Sequence, residues 1–395
     1  MHKLHCFFNI FDMHSRTILV SAAALALTLS ATAQTPSWVR RNSISPDGST
    51  IAFSYKGDIY TVPSSGGQAR QLTSNQALDS NPIWTRDGKN IVFISYRESG
   101  KDIYITSENG GVPRRITNLP GNETPLAVLP DGSILFSWYN GSVESESYGD
   151  FPGTAQLYRT DIHGAAPELV TSLPVKALSI NSEGTIIYEN YKGYEDELRK
   201  HHTSSVTRDI WKYVPAAGDK RLCINSNGSF TKLSDYKGED RNPVFAADGD
   251  TFYYLSERDG KTSNVYRSSL SAPQTSVQLT FETRNPVRFL SISEDGTLAF
   301  SLNGDLYTMK DGALPAKVPI TVTRDENERE IQKYNYSSGA SSMAVSPDGK
   351  EIAMIIRGDV FVTSADYKTT RRITNTPVQE RNVDFSADGR EKYYS

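Results

Sequence analysis

Asp-Gly recurs along this 395-residue chain, at Asp47-Gly48, Asp87-Gly88, Asp131-Gly132, Asp248-Gly249, Asp295-Gly296, Asp348-Gly349 and Asp388-Gly389, and Glu183-Gly184 stands in the one long gap. Each pair is followed by a short run rich in β-branched and aromatic residues: "IAFS" at Ile51, "IVFI" at Ile91, "ILFS" at Ile134, "IIYE" at Ile186, "FYYL" at Phe252, "LAFS" at Leu298, "IAMI" at Ile352 and "KYYS" at Lys392. A second run comes next, as in "DIYT" at Asp58, "DIYI" at Asp102, "NVYR" at Asn264 and "DVFV" at Asp359. A third ends in pairs such as Leu72-Thr73, Ile116-Thr117, Leu279-Thr280 and Ile373-Thr374. With the run that precedes each turn, every unit holds four strands.

Asp-Gly gives the positive-φ geometry of a tight hairpin, and hairpins force antiparallel pairing. That speaks against the competing architecture, a stacked solenoid, whose repeats are usually shorter and whose strands are parallel. A lone four-stranded sheet of such composition cannot bury both of its faces. Units of this size stacked around an axis solve the problem, so the expected fold is all-β, a β-propeller of four-stranded antiparallel blades.

Six units run from about Ser37 to Val322, which predicts a six-bladed propeller over 34–322. The segment "TRDENEREIQKYNYSSGA" crowds acidic residues and shows no strand alternation, which marks 323–340 as a linker. Residues 341–395 hold one complete unit and two strands of another, read as the truncated start of a second propeller. The alternative is a single seven-bladed ring with a C-terminal overhang.

The first 33 residues have the pattern of an export leader. Arg16 precedes the apolar segment from Ile18 to Leu29, too short to span a bilayer, and Ala31-Thr32-Ala33 offers a cleavage site before Gln34. Met13 is the better start for such a leader. After cleavage 40 basic residues face 45 acidic ones, and Cys223 is the one cysteine left, so no intrachain disulfide is available. The product expected is periplasmic or secreted. An acidic chain without a basic block offers no attraction to nucleic acid, and no membrane contact is expected once the leader is gone.

Two units are longer than the rest between their second and third strands. From the turn glycine to the third strand takes 11 residues in the first unit (Gly48 to Ile59), 25 in the third (Gly132 to Leu157) and 26 in the fourth (Gly184 to Ile210). In a meander that loop emerges on the side of the connections between blades, so one face carries both insertions. The second, "NYKGYEDELRKHHTSSVTR", collects Tyr194, Arg199, His201 and His202, a mixture suited to holding a peptide or protein partner. Ordering a surface loop is the plainer role for them. Adjacent histidines on an extended segment point apart, so no metal site is expected, and no cofactor motif occurs. Neither a nucleophile elbow, a zinc-protease helix nor a phosphate loop is present, and the Asp before each Gly is a turn former, so no catalytic residue is assigned.

The quoted units, "SPDGSTIAF", "DIYTV", "SGGQARQLT", and again "SPDGKEIAM", "GDVFVT" and "RRIT", resemble the TolB-like and WD40-like repeats of bacterial periplasmic propellers. With the leader, the six units followed by a new series, and the "GYEDELRKHHTSSVTRDIW" insertion, the chain resembles the amino-terminal part of a tricorn-type protease homologue. The resemblance implies a six-bladed and then a seven-bladed propeller, a PDZ domain and a serine-protease domain akin to the tail-processing peptidases. It also implies propellers that filter or guide unfolded peptides, with the catalytic residues beyond this segment and possible homo-oligomers formed through the other domains. Two alternatives stay open: a TolB-like scaffold that docks envelope proteins, and the propeller of a prolyl-oligopeptidase-like enzyme.

Overall fold

The computed structural model describes residues 35–36, 38–98, 100–139, 155–193, 196, 198–199, 204–217, 222, 224–258, 262–323, 338–366, 370–374, 376 and 378–395. The segment read as a leader, most of the 323–340 segment, and Tyr194, His201 and His202 lie outside the described residues. All regular structure among the described residues is β-strand. The chain divides into two compact units, 1–324 and 325–395.

The first unit consists of six four-stranded antiparallel sheets, blades 1 to 6, covering 40–71, 79–115, 122–171, 175–232, 240–278 and 287–317. Each is a meander in chain order, and its first hairpin explains the recurring turn. At Ser45-Pro46-Asp47-Gly48 the Ser45 carbonyl accepts from the Gly48 amide at 2.9 Å, and the Ser45 amide donates to the Thr50 carbonyl at 2.7 Å. The positive φ falls on the glycine alone, +75° at Gly48. The Asp47 carboxylate closes the turn by accepting from the Ser45 hydroxyl at 2.5 Å and the Ser49 amide at 3.0 Å. Those two bonds hold its pKa below the ordinary value. Blade 4 lacks the aspartate, and Asn181 takes the role, accepting from the amides of Glu183 (3.1 Å) and Thr185 (2.9 Å).

The second strand of each blade faces two neighbours by strict alternation. Ile51 and Phe53 pack with Ala299 and Leu306 of blade 6, while Ala52 packs with Trp84, Ile91 and Phe93 of blade 2. Val92 then meets Ile134 and Phe136 of blade 3, and Leu135 meets Ile186 and Tyr188 of blade 4. Ile187 meets Phe252 and Tyr254 of blade 5, and Tyr253 meets Leu298 and Phe300 of blade 6. Six apolar clusters therefore join the blades in a closed circuit, with blade 6 against blade 1.

A fifth strand completes the circuit. Ile320–Val322 leaves blade 6 and pairs in parallel with the outer strand of blade 1, Ile320 opposite Gly67, Thr321 opposite Gln68 and Val322 opposite Ala69. The Gly67 amide donates to the Pro319 carbonyl at 2.8 Å, and Val318, Ile320 and Val322 enter the cluster between blades 6 and 1.

The second unit contains one four-stranded sheet of the same design, from Ala340–Val345 to Thr370–Arg372, and a hairpin of Val383–Phe385 with Lys392–Tyr394. Ala353, Ile355, Val360 and Val362 pack against Val383 and Phe385. Met343 and Val345, on the other side of the sheet, are 65% and 56% exposed.

Three inner strands carry a fully buried acid at one matching position, Asp79, Glu123 and Asp240. Asp79 is met by Arg97 at 2.7 Å and Asp240 by Arg258 at 3.3 Å, each arginine two residues after the second-strand residue that pairs with the acid. In blade 3 the residue at that spacing is Asn140. Glu123 instead accepts from the Thr117 hydroxyl at 3.0 Å and lies beside the Asp102 carboxylate. Burial above all, with the Asp102 charge opposed by the Thr117 bond, pushes the Glu123 pKa up to about 8.

Two predictions follow from these contacts. A Cβ on Gly66 (φ +93°) would lie 2.5 Å from Pro319 Cδ and 2.6 Å from its carbonyl oxygen, whereas one on Gly184 (φ +80°) would meet nothing within 4 Å. Gly184→Ala should cost only the left-handed backbone strain, about 1–2 kcal/mol, and Gly66→Ala clearly more, read as denaturant midpoints. Glu123 keeps in the folded protein a proton that the unfolded chain releases near its ordinary value of 4.5. Stability should therefore fall as pH rises from about 4.5 to about 8, by at most about 1.4 kcal/mol per pH unit, and level off above. Glu123→Gln, whose amide can donate to Asp102 without ionising, should flatten that slope in melting curves taken from pH 5 to 9.

Candidate functional site

The first strands of the six blades surround a cavity of about 920 Å³ on the axis of the first unit. These strands, Arg40–Ile44, Asp79–Trp84, Asn122–Val128, Val175–Ile180, Asp240–Phe245 and Val287–Ile292, are the free edges of their sheets, so main-chain polar groups as well as side chains face the channel. Each is irregular. Pairing with the second strand shifts register between Arg40 and Ser43, Ser80 and Ile83, Arg241 and Val244, and Arg288 and Ser291, with a bulge at Leu126 in blade 3 and one nearer the strand start, at Lys176, in blade 4. Arg41, Asn81, Asn242 and Phe289 at these bulges have φ between 53° and 57°.

Left-handed non-glycine residues recurring at one place in four blades mark a geometry that the fold imposes. The bulge turns polar side chains sideways to bridge neighbouring inner strands. Asn42 Nδ2 donates to the Phe289 carbonyl at 2.9 Å, and Asn242 Nδ2 to the Leu290 carbonyl at 3.0 Å, while the Leu290 amide donates back to Asn242 Oδ1 at 3.1 Å. The amide of Ile44 donates to Ser291 Oγ and that of Phe245 to Ser179 Oγ, both at 3.1 Å. Side chains thereby fix the spacing of strands that share no backbone ladder.

The loop between the second and third strands of blade 4 reaches this mouth. Arg199, one of the four residues read from the sequence as a binding set, is buried. Its guanidinium holds Glu239 at 2.6 Å and Glu257 at 2.7 Å, both in blade 5 or at its edge. Nearby Arg208 pairs with Glu189 at 2.5 Å, and Glu189 also accepts from the Asn242 amide at 2.9 Å. The Arg199 side chain thus fastens the insertion to the next blade. Its carbonyl, with that of Leu198, accepts from Arg288 Nη2 at 2.9 and 2.8 Å, and Arg288 lines the channel. The other three residues of the set, Tyr194, His201 and His202, lie outside the described residues.

Unforeseen from sequence were the channel-lining cations, among them Lys176, Arg241 and Arg288. Counting each unit back from its Asp-Gly turn places them at the inner strand, so the signal was present in the repeat register. Among the described residues no group of three His, Cys, Asp or Glu side chains is arranged to hold a metal ion. The arrangement offers a pierced ring with one decorated mouth, fit to hold an extended chain.

Comparison with known proteins agrees with this architecture. Residues 36–313 match the model of the tricorn protease N-terminal beta propeller domain. Over 360 residues the chain is 22% identical to Tricorn protease homolog 1 of Streptomyces coelicolor, covering 88% of this chain and 31% of that protein. A 114-residue stretch, 28% of this chain and 24% of the relative, is 38% identical to the Tol-Pal system protein TolB of Desulfosudis oleivorans. The crystal structure of the tricorn protease superposes with a TM-score of 0.59 at 19% identity, over 88% of this chain and 32% of that one. The chain therefore spans about a third of the length of the tricorn relatives it matches. With the family model covering the whole six-bladed ring but its last strands, the chain belongs to the family of tricorn protease N-terminal β-propeller domains.

Proposed function

We propose that this chain is the peptide-handling propeller segment of an exported tricorn-like serine protease. The observation that carries the reading is the axial channel: about 920 Å³, walled by the six inner edge strands, and too narrow for a folded domain. An extended peptide can satisfy the polar groups of such a wall as it passes, and a folded protein cannot enter. In this reading the ring gates or guides peptides, and hydrolysis belongs to domains outside the segment. Export rests on the leader pattern of residues 1–33, and the face of Met343 and Val345 in the second unit is where a neighbouring blade of a second propeller would pack.

A TolB-like scaffold is the second reading, favoured by the 38% identical stretch. It would use an outer surface to hold a folded partner. The two differ in what blocks them. Ser43 lines the channel, so Ser43→Trp should obstruct the passage while leaving the outer surface alone.

The test is fluorescence anisotropy of the purified chain with a labelled peptide derived from an unfolded protein, alongside mass spectrometry of the peptide. Binding that Ser43→Trp weakens at least tenfold, with the peptide left intact, is the expected result. Cleavage by this chain alone, or peptide binding indifferent to Ser43→Trp, would overturn the reading.

A further inference from the structure

Five of the six inner strands can be compared residue by residue, because each pairs with its second strand in a matching register. Arg40 lies opposite Ser54, Ser80 opposite Ile94, Thr124 opposite Ser137, Arg241 opposite Leu255 and Arg288 opposite Ser301. In blade 4 Ala177 lies opposite Glu189, and Lys176 on the adjoining bulge stands three residues before Ser179, as Arg40 stands before Ser43. With Lys176 placed by that spacing, these positions hold four cations and no acid, and Lys176, Arg241 and Arg288 among them line the channel. The ring beyond the bulges, Ser43, Ile83, Ala127, Ser179, Val244 and Ser291, is uncharged. At the far mouth, beside the Asp-Gly turns, Pro46, Arg86, Pro130, Ser182, Ala247 and Glu294 carry one charge of each sign. The positive charge is thus confined to one end, the face from which the long insertions emerge.

Several of the described acids near that mouth are engaged by cations outside these positions. Glu189 is held by Arg208, Glu239 and Glu257 by Arg199, Asp240 by Arg258, and Asp209 by Lys192 and Lys232. Asp196, on the insertion, is one acid that bears on Arg288. Arg288 is anchored by the carbonyls of Leu198 and Arg199, and two other ring members are backed by aromatic faces, Arg40 at 5.7 Å from Trp38 and Lys176 at 5.6 Å from Tyr191. Burial, and then the neighbouring charges of Arg241 and Arg40, lower the Arg288 pKa to about 10. Like charges are held close around a low-dielectric passage, which focuses a positive field into it.

We propose that this mouth selects acidic peptide segments, taking their carboxylates among Lys176, Arg241 and Arg288, with Arg40 beside them, before the uncharged waist. The proposal rests on the peptide-channel reading above and adds a charge preference to it. An acidic peptide is favoured over a nucleic acid because the chain as a whole carries net charge -4 and its cations converge on the passage, with no basic stripe outside it described by the structure.

The experiment compares labelled ten-residue Glu/Ser/Gly peptides with versions carrying Gln or Lys for Glu, bound to the full chain at low and high salt. The Glu peptide should bind at least tenfold more tightly than the Gln peptide, and the gap should narrow with salt. Arg241→Gln combined with Lys176→Gln should weaken Glu-peptide binding about tenfold and leave Gln-peptide binding unchanged. Arg86→Gln, at the opposite mouth, should have no effect, and thermal melts confirm that each variant is folded. Equal binding of Glu and Gln peptides, both blocked by Ser43→Trp, would overturn the charge preference and keep the channel reading. Binding of none of the three peptides would overturn both. Single-stranded oligo(dT) bound as tightly as the Glu peptide, and weakened by the same double variant, would overturn the choice of peptide as the ligand.

Discussion

Every blade of this protein is apolar on both faces, and no blade can satisfy that alone. Ile51, Phe53 and Ala52 are each fully buried, yet they point to opposite neighbours, and the same holds for Ile91, Val92 and Phe93 in the next sheet. At about 1.5–3 kcal/mol for each large side chain buried, leaving one face bare would remove a large share of a domain's net stability. A row of such sheets always leaves two faces uncovered. Closing the row is the arrangement that leaves none, and six clusters between six sheets show it closed.

Closure must also resist opening at the junction of the first and last blades, where no chain connection helps. Two devices act there. The side chains of Asn42 and Ser291 bridge blades 1 and 6 at the axis, and the parallel strand Ile320–Val322 grips the rim of blade 1. The second device uses Gly66 and Gly67, whose positive φ values let the hairpin of blade 1 accept Pro319 against its backbone. One bond set lies at the inner edge and the other at the outer edge, so a hinge about either is blocked by its counterpart.

Much of this was legible before any coordinate. The Asp-Gly spacing fixes hairpins, the runs after each turn announce two-faced strands, and the excess residues in the third and fourth units locate the insertions between their second and third strands. What stayed hidden depends on contacts distant in sequence. Arg199 reads as a surface cation in a polar loop, and it is buried because Glu239 and Glu257, supplied by the next blade, meet it. Glu123 reads as one more acid at a strand start. Its raised pKa comes from the combination of burial, Asp102 beside it, and Asn140 where two other blades supply an arginine. The left-handed residues of the inner strands follow no residue-type rule, since Arg41, Asn81 and Phe289 share the conformation.

The repeat also explains where variation is permitted. Positions that face a neighbouring blade are held to apolar residues by packing, and positions in the turns are held to Asp, Asn and Gly by hydrogen bonding and φ. The inner-strand position three residues before the waist is bound by neither demand, because no interblade cluster or turn includes its side chain. It holds Arg, Ser, Thr, Lys, Arg and Arg in the six blades. A scaffold with six nearly equal walls therefore acquires a polarity, cationic at one mouth and neutral at the other, through residues whose replacement costs the core nothing. The insertion of blade 4 reinforces the same end, since its Leu198 and Arg199 carbonyls hold Arg288 in place while the Arg199 side chain ties the loop to blade 5. Structure and selectivity are in this way written on different positions of one repeating unit, which lets either change without disturbing the other.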